Sequence, residues 1–140
     1  MQGKYFEDLS IGQSDEMTYT VTEDTIAKFA AVSGDDNPVH LDEDYAAKTQ
    51  FGGRIAHGML SASFISAVIG TRLPGHGSIY LSQTLRFRRP VKIGDEVIAK
   101  ATVSELDAER GRVTLATVCT VAGKTVIEGE AVVMAPRKGA

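Results

Sequence analysis

At 140 residues the chain is long enough to bury one hydrophobic core but not two, so we predict a single domain over residues 1–140. Hydrophobic residues make up 43% of the sequence and charged residues 24%, proportions that are ordinary for a globular protein and suggest neither a disordered chain nor a membrane protein. The formal net charge of -3, from 15 basic and 18 acidic residues, argues against a nucleic-acid-binding protein, which normally carries a clustered positive excess.

The N-terminal segment and the cysteine content indicate the compartment. Residues 1–8 lack the apolar core of a signal peptide, and the apolar stretch Met59–Ile69 is too short to cross a bilayer. Cys119 is the only cysteine, which excludes an intramolecular disulfide and a zinc site built from several cysteines. We therefore expect a cytoplasmic protein that does not insert into a membrane.

The first predicted elements are a strand and a helix. Met17–Val21 is typical of a short strand. Thr20 followed by Glu23 fits a capping box, in which each side chain bonds the backbone of the other residue. Apolar residues at helical spacing continue from there up to Gly34, so we predict a helix over this stretch.

The segment Gly34–His40, with the sequence GDDNPVH, is the most informative part of the chain. Proline fixes its own φ angle and keeps the preceding residue out of helical conformation, so we predict a loop here. Asp35 and His40 then cannot stack on one continuous helix and must converge across the turn that Asn37 and Pro38 form. A carboxylate and an imidazole held in this way predict an acid–base pair that acts on one small molecule.

Two more helices are predicted after this segment. Asp42 is placed to cap a short helix, which Gly52 and Gly53 then break. No charged residue occurs from Gly58 up to Arg72, which is the first one. A helix that is apolar on nearly every face must be buried, so we predict that the rest of the chain wraps around it.

Four segments rich in strand-forming residues follow, separated by turn signals. Their short connections predict antiparallel neighbours. The predicted fold class is therefore α+β, with an antiparallel sheet wrapped around a central buried helix. The four predicted strands are Ile79–Arg89, Glu96–Leu106, Arg112–Val121 and Lys124–Met134.

The pattern Gly-Asp-x-Asn-Pro-x-His resembles the signature of the R-specific enoyl-CoA hydratases, in the MaoC-like dehydratase family of the hot-dog fold. A second match runs over Phe51–Leu60 (FGGRIAHGML), and shorter ones follow at Leu73–Gly75, Gly77–Tyr80 and Gly94–Val97. The resemblance covers nearly the whole chain. It implies the hot-dog fold, and a homodimer with its active site near the subunit interface.

The resemblance also implies an activity, the interconversion of a trans-2-enoyl-CoA and water with an R-3-hydroxyacyl-CoA, without a cofactor. Such a hydro-lyase needs a base for the water, a proton for the α-carbon and a group that holds the thioester oxygen as it gains charge. Asp35 and His40 match the first two needs, and in the resembling enzymes this pair grips one water. Which of the two acts as the base stays open at this point.

Gly58 is the candidate for the third need. It begins the predicted buried helix, where backbone N–H groups lack intrahelical partners and the helix dipole favours negative charge. Glycine has no Cβ to block an approaching carbonyl oxygen, and the resemblance implies that the Gly58 N–H binds the thioester oxygen. The simpler interpretation, that Gly58 only permits close packing at a helix start, stays open beside it.

Four residues are assigned to substrate binding: Asn37, Ser66, Arg86 and Arg88. Asn37 is expected to shape the turn and not to take part in the chemistry. Ser66 aligns with a serine near the active site of the resembling enzymes, although a helical serine often bonds its own backbone. The guanidinium groups of Arg86 and Arg88 suit the phosphates of coenzyme A, but alternating positions on an exposed strand explain them equally well.

The remaining histidines and the cysteine receive no catalytic role. His57 is expected to be packed or bonded to backbone, and His76 to be exposed in a glycine-rich turn. Cys119 has no basic neighbour in sequence, so we do not expect it to act as a nucleophile. No metal site is predicted, because the three histidines lack the spacing of a helical zinc pair.

Three other functions fit parts of the sequence. The nearest is a dehydratase that acts on 3-hydroxyacyl-[acyl-carrier-protein] thioesters. A hot-dog thioesterase does not call for the Asp/His pair, and a non-catalytic acyl-CoA-binding subunit could dispense with it, so the intact pair counts against both. Short to medium acyl chains are favoured by the bulky residues Leu60, Phe64, Ile65 and Tyr80.

Overall fold

The computed structural model describes residues 2–139. Within this range a short 3-10 helix at Phe6–Asp8 precedes five strands and four helices. They are, in chain order, β1 (Ser14–Thr20), α1 (Glu23–Ser33), α2 (Pro38–Leu41), α3 (Glu43–Ala47), α4 (Gly58–Thr71), β2 (Ile79–Phe87), β3 (Glu96–Asp107), β4 (Arg112–Val121) and β5 (Lys124–Met134). No helix in the described range is both long enough and apolar enough to span a bilayer.

The strands form one antiparallel sheet in the order β1-β3-β4-β5-β2. Consecutive strands β3, β4 and β5 pair as a meander, with Ala99 opposite Cys119 and Cys119 opposite Ile127. β1 and β2 lie on the two edges, beside β3 and β5. The predicted α+β class and antiparallel pairing are confirmed. The order of the edge strands was not predicted, because it depends on pairing between strands distant in sequence.

The core lies between α4 and one face of the sheet. Inward-facing residues of β3 alternate with more exposed ones, and the inward set is 0–1% exposed. The inward-facing side chains at the middle of β3 are alanines, and because they are small, the backbone of α4 can approach the sheet closely. Burying each large aliphatic side chain of α4 stabilises the fold by about 1.5–3 kcal/mol. The residues that meet at this contact include Val97, Ala99, Ala101 and Val103 of β3, and Ile65, Val68 and Ile69 of α4.

One stripe of α4 is not covered by the sheet. Met59, Ser63, Ser66 and Gly70 are exposed, and their spacing places them on one side of the helix. The wrapping of the sheet around a central helix is confirmed, but a single chain encloses only part of that helix. Composition could not predict this stripe, because small residues such as serine and glycine suit either environment.

Helix α1 begins later than predicted. Thr20 is the last residue of β1, paired with Glu96, so it is not available as a cap. The N-cap is Thr22, whose Oγ1 accepts a hydrogen bond from the Thr25 backbone N–H at 3.1 Å, while the Thr22 N–H donates to Thr25 Oγ1 at 2.8 Å. The predicted capping box of Thr20 and Glu23 is therefore wrong, since Thr22 and Thr25 form it instead.

The segment after α1 is only partly a loop. Gly34 ends α1 with a φ of 79°, a left-handed conformation that glycine adopts without strain. The side chain of Asn37 then caps α2 by accepting a hydrogen bond from the Val39 N–H at 3.2 Å, and Pro38 occupies the first helical position, where no N–H is needed. The predicted loop is therefore wrong at His40, which lies in this helical turn.

Candidate active site

Asp35 and His40 lie close together, as the turn argument predicted. One carboxylate oxygen of Asp35 and one ring nitrogen of each of His40 and His57 all lie within 4.8 Å of one another. Asp35 is exposed, whereas His40 is 8% exposed and His57 is 2% exposed. One carboxylate and two imidazoles therefore share a site between solvent and core, and their chemical roles stay predictions.

Asn37 fixes the turn that carries the pair. Its backbone N–H donates to Asp35 Oδ1 at 3.2 Å, and its backbone carbonyl accepts from the His40 N–H at 3.0 Å. Because its side chain caps α2, the backbone N–H, the backbone carbonyl and the side chain of Asn37 are all hydrogen-bonded within the turn. These contacts agree with the expected shaping role and set the separation between the carboxylate and the imidazole.

The His40 ring is oriented by a hydrogen bond to the backbone of Ile55. Its Nδ1 lies 2.8 Å from the carbonyl oxygen of Ile55, and because a carbonyl only accepts, Nδ1 must carry the proton. Nε2 of the neutral ring is therefore the nitrogen with a free lone pair. Arg54 holds the same residue by its backbone, donating from Nε to the His40 carbonyl at 2.8 Å and from Nη1 to Glu23 at 2.7 Å.

A cleft of about 480 Å³ opens beside this group, within the usual range for small-molecule sites. Asp35, His57 and Gly58 lie on its wall, whereas His40 is not one of the lining residues. Most of the other lining residues are apolar, and two are arginines. They are Phe51, Ile55, Ala56, Met59, Ser61, Phe87, Arg88, Arg89, Pro90, Val91 and Ile127.

Gly58 is the first residue of α4, and its first-turn backbone N–H has no partner within the helix. A Cβ at this position would lie 2.5 Å from Cε1 of the Phe87 ring, so a larger residue would displace that ring. This contact with the Phe87 ring supports the interpretation that Gly58 permits close packing. It is compatible with a role for the N–H, because the missing Cβ serves both.

The predicted substrate-binding residues do not all reach the cleft. Arg88 lines it and donates from Nε to Glu128 at 3.0 Å. Arg86 borders a separate groove beside Glu128, and Ser66 lies on the exposed stripe of α4. Asn37 is also absent from the cleft wall, as are the bulky residues from which a short pocket was inferred, namely Leu60, Phe64, Ile65 and Tyr80.

The same three side chains are the donor set to consider for a metal ion. Two of their ring nitrogens, His40 Nδ1 and His57 Nε2, already face backbone carbonyls at 2.8 and 2.9 Å. The two rings are also stacked, with centroids 3.9 Å apart and planes 28° apart. With these two nitrogens facing carbonyls, only Nε2 of His40 and Nδ1 of His57 are left to accept a proton or to bind a ligand.

His57 is buried and bonded to backbone, as expected, but sequence reasoning gave neither it nor Ser61 a place in the site. His57 Nδ1 and Ser61 Oγ are buried and have no hydrogen-bond partner in the part of the chain that the structure describes. Both residues line the cleft. A histidine directly before the glycine that begins α4 was the available signal for the first, whereas nothing in the pattern distinguishes Ser61 from Ser63.

Cys119 is not equipped to act as a nucleophile. It lies in β4 with no exposed surface, and burial raises the pKa of its thiol to about 12. Its Sγ contacts the backbone carbonyl of Ser61 at 3.6 Å and lies outside the cleft wall. These observations agree with the sequence interpretation.

Comparison with known proteins gives a likeness over nearly the full length. Residues 9–129 match the MaoC like domain family. An (R)-specific enoyl-CoA hydratase of Rhodospirillum rubrum is 58% identical over 96% of this chain and 94% of its own. A 3-hydroxybutyryl-CoA dehydratase of Methylorubrum extorquens is 51% identical over 96% and 85%. The unliganded structure of R-hydratase PhaJ1 from Pseudomonas aeruginosa superposes with a TM-score of 0.91 at 51% identity, over 97% of this chain and 88% of that chain.

Proposed function

The chain belongs to the MaoC-like domain family of the hot-dog fold, and on that premise we propose that it is an R-specific enoyl-CoA hydratase. It is a hydro-lyase that adds water to a trans-2-enoyl-CoA to give an R-3-hydroxyacyl-CoA, and it catalyses the reverse dehydration. The observation that carries this proposal is the carboxylate and imidazole within 4.8 Å of each other, beside the glycine that begins α4.

The geometry supports His40 as the base. The Ile55 carbonyl fixes the proton on Nδ1, so Nε2 can accept a proton from water. One carboxylate oxygen of Asp35 and one ring nitrogen of His40 lie no more than 4.8 Å apart, and groups at this separation can both hydrogen-bond one water, since each bond spans about 2.8 Å. Asp35 lines the cleft and His40 does not, so we place that water beside the Asp35 carboxylate.

The reaction then needs no group from outside the site. The Asp35 carboxylate accepts one water proton as a hydrogen bond and orients the oxygen, while His40 Nε2 removes the other proton as the oxygen bonds C3 of the enoyl group. The C2–C3 π electrons move towards the thioester carbonyl, giving an enolate whose oxygen the Gly58 N–H stabilises. The proton on His40 is then delivered to C2 on the same face, which completes the addition of water.

The lining of the cleft suits both parts of an acyl-CoA thioester. Its apolar wall suits the acyl chain, and Arg88 and Arg89 offer guanidinium groups to the phosphates of coenzyme A. Short to medium acyl chains remain our proposal for the substrate. The nearest alternative is the same chemistry on an acyl-carrier-protein thioester, which would present the same acyl group to the same pair.

We propose a homodimer and a cytoplasmic location. The dimer is supported by the surface of β2, an edge strand on which Ile79, Leu81 and Phe87 are 42–57% exposed. An exposed apolar edge strand invites pairing with another strand. The only cysteine is a free thiol, which is compatible with the reducing conditions of the cytoplasm.

The first experiment follows the loss of enoyl absorbance when purified protein is mixed with crotonyl-CoA, together with the handedness of the product. Asp35→Asn and His40→Ala should each lower kcat by about 100-fold or more, the usual contribution of a general acid or base. Asp36→Asn and His76→Ala are matched controls on exposed residues, and both should keep the wild-type rate.

Three outcomes would overturn the proposal. An S product would contradict the proposed R specificity. A folded protein that hydrates neither crotonyl-CoA nor a longer enoyl-CoA, but does hydrate crotonyl-[acyl-carrier-protein], would replace the coenzyme A thioester by the carrier-protein substrate. Binding without turnover of either thioester would favour a non-catalytic acyl-binding subunit.

A further inference from the structure

We infer that His57 is a positioning residue, which holds Asp35 and His40 at the separation that proton transfer requires. The inference rests on the proposed function and adds a third side chain to the two already assigned. No part of it requires His57 to touch the substrate or to transfer a proton itself.

His57 contacts both members of the pair. Its Nε2 lies 2.9 Å from the backbone carbonyl oxygen of Asp35. Its ring stacks on the ring of His40, with centroids 3.9 Å apart. The next residue in the chain is Gly58, so this one side chain joins the carboxylate loop, the imidazole and the start of α4.

The hydrogen bond to Asp35 fixes the state of the ring. A carbonyl oxygen only accepts, so Nε2 carries the proton and donates it. Nδ1 then holds a lone pair in the neutral ring, and it is buried without a partner in the described residues. When His40 is protonated during the reaction, a neutral His57 ring can stay stacked on it. A charged His57 ring would repel it.

The surroundings hold His57 itself in place. The ring is 2% exposed and meets Phe29 of α1 with centroids 4.9 Å apart. A residue kept only to fill space here would be better served by an apolar side chain, because a buried nitrogen without a partner costs free energy. The donated bond to Asp35 is what an apolar residue of the same size could not provide.

The test compares two amide variants of one position. In His57→Gln the amide nitrogen extends about as far as Nε2 and can still donate to the Asp35 carbonyl. In His57→Asn the amide nitrogen reaches only about as far as Nδ1, so the bond is lost while size and polarity stay similar. The melting temperature of each variant is measured with the crotonyl-CoA kinetics, and His76→Asn is the control for replacing a histidine.

We expect His57→Asn to lower kcat by about 10- to 100-fold, as a misplacement of about 1 Å does. KM should change by less than about threefold, since the thioester contacts are kept. His57→Gln should recover most of the lost kcat, and both variants should remain folded at the assay temperature, as their melting temperatures will show. Equal kcat in the two variants, or a loss confined to KM, would overturn the inference.

A measurement without substrate separates this inference from the proposed function. Long-range ¹H–¹⁵N spectra of the wild-type imidazoles should show His57 protonated at Nε2 and His40 protonated at Nδ1. Protonation of His57 at Nδ1 would remove the bond to Asp35 and overturn the inference whatever the protein catalyses. If instead these tautomers are found and no enoyl thioester is hydrated, the proposed function fails and the contacts stand.

Discussion

The titration of Cys119 is strongly changed by the fold. Burial raises the pKa of its thiol to about 12, whereas an unfolded cysteine titrates near 8.5. At pH 8.5 about half of the unfolded thiols would be reactive thiolate, and almost none of the folded ones.

We therefore predict that the native protein does not react with a thiol reagent such as iodoacetamide between pH 7 and 9. In urea the labelling rate should follow the unfolded fraction and rise with pH across this range. Stoichiometric labelling of the native protein within minutes at pH 8.5 would contradict both the burial and the raised pKa.

Gly58 can be tested by separating its two roles. Gly58→Ala brings a Cβ against the Phe87 ring, which is 54% exposed and can move aside, so we expect a folded protein with reduced kcat. In the double variant with Phe87→Leu the smaller side chain relieves that contact. If the N–H must be approached by the thioester oxygen, kcat should remain about 100-fold low in the double variant.

The kinetics of the double variant distinguish the two interpretations. Phe87→Leu alone supplies the reference, because Phe87 itself lines the cleft. Recovery of kcat to the Phe87→Leu value would mean that Gly58 serves packing alone and that the thioester oxygen is held elsewhere.

At the scale of elements, α1 connects its cap to the site. It begins at the Thr22 cap and ends at Gly34, directly before Asp35, so a frayed α1 would loosen the carboxylate. We predict that Thr22→Ala lowers the free energy of unfolding by about 1 kcal/mol. Thr20→Ala, at the end of β1, should change it by less than half as much. Equal losses in urea unfolding would contradict the cap assignment.

The strands show what a sequence can predict about elements. β4 and β5 have the bounds that their turn signals indicated, and β3 differs by one residue, because each strand lies between turns that are local in sequence. The capping box was wrong for a different reason. Thr20 satisfied the pattern as well as Thr22 does, and only pairing with β3, more than 70 residues away, removes it from consideration.

Some parts of the site also depend on local sequence and others on contacts between distant residues. The turn at Asn37 and Pro38 is local chemistry, so the approach of Asp35 to His40 could be predicted. The contacts of His57 with Asp35 and His40 cross 22 and 17 residues, and no spacing rule covers them. Ser66 was assigned from resemblance, and its place on the exposed stripe of α4 depends on how far one sheet can wrap.

At the scale of the whole molecule, the two edges of the sheet differ in character. β1 carries Asp15 and Glu16 on its edge, and charges of this kind discourage pairing with another strand. β2 presents Ile79 and Leu81 and has a single charged residue, Arg86. β2 also ends at Phe87, which lines the cleft, so whatever covers this edge lies near the site.

We predict that the protein is a dimer through β2 and that Leu81→Lys converts it to a monomer. Light scattering after gel filtration measures the mass, and Val32→Lys is the matched control, because Val32 is 83% exposed on α1 and distant in sequence from β2. A charge buried between two edges without a partner costs several kcal/mol, enough to separate a dimer of ordinary affinity. Loss of activity together with the dimer would place the site beside the interface, and a Leu81→Lys protein that keeps the mass of its Val32→Lys control would contradict pairing through this edge.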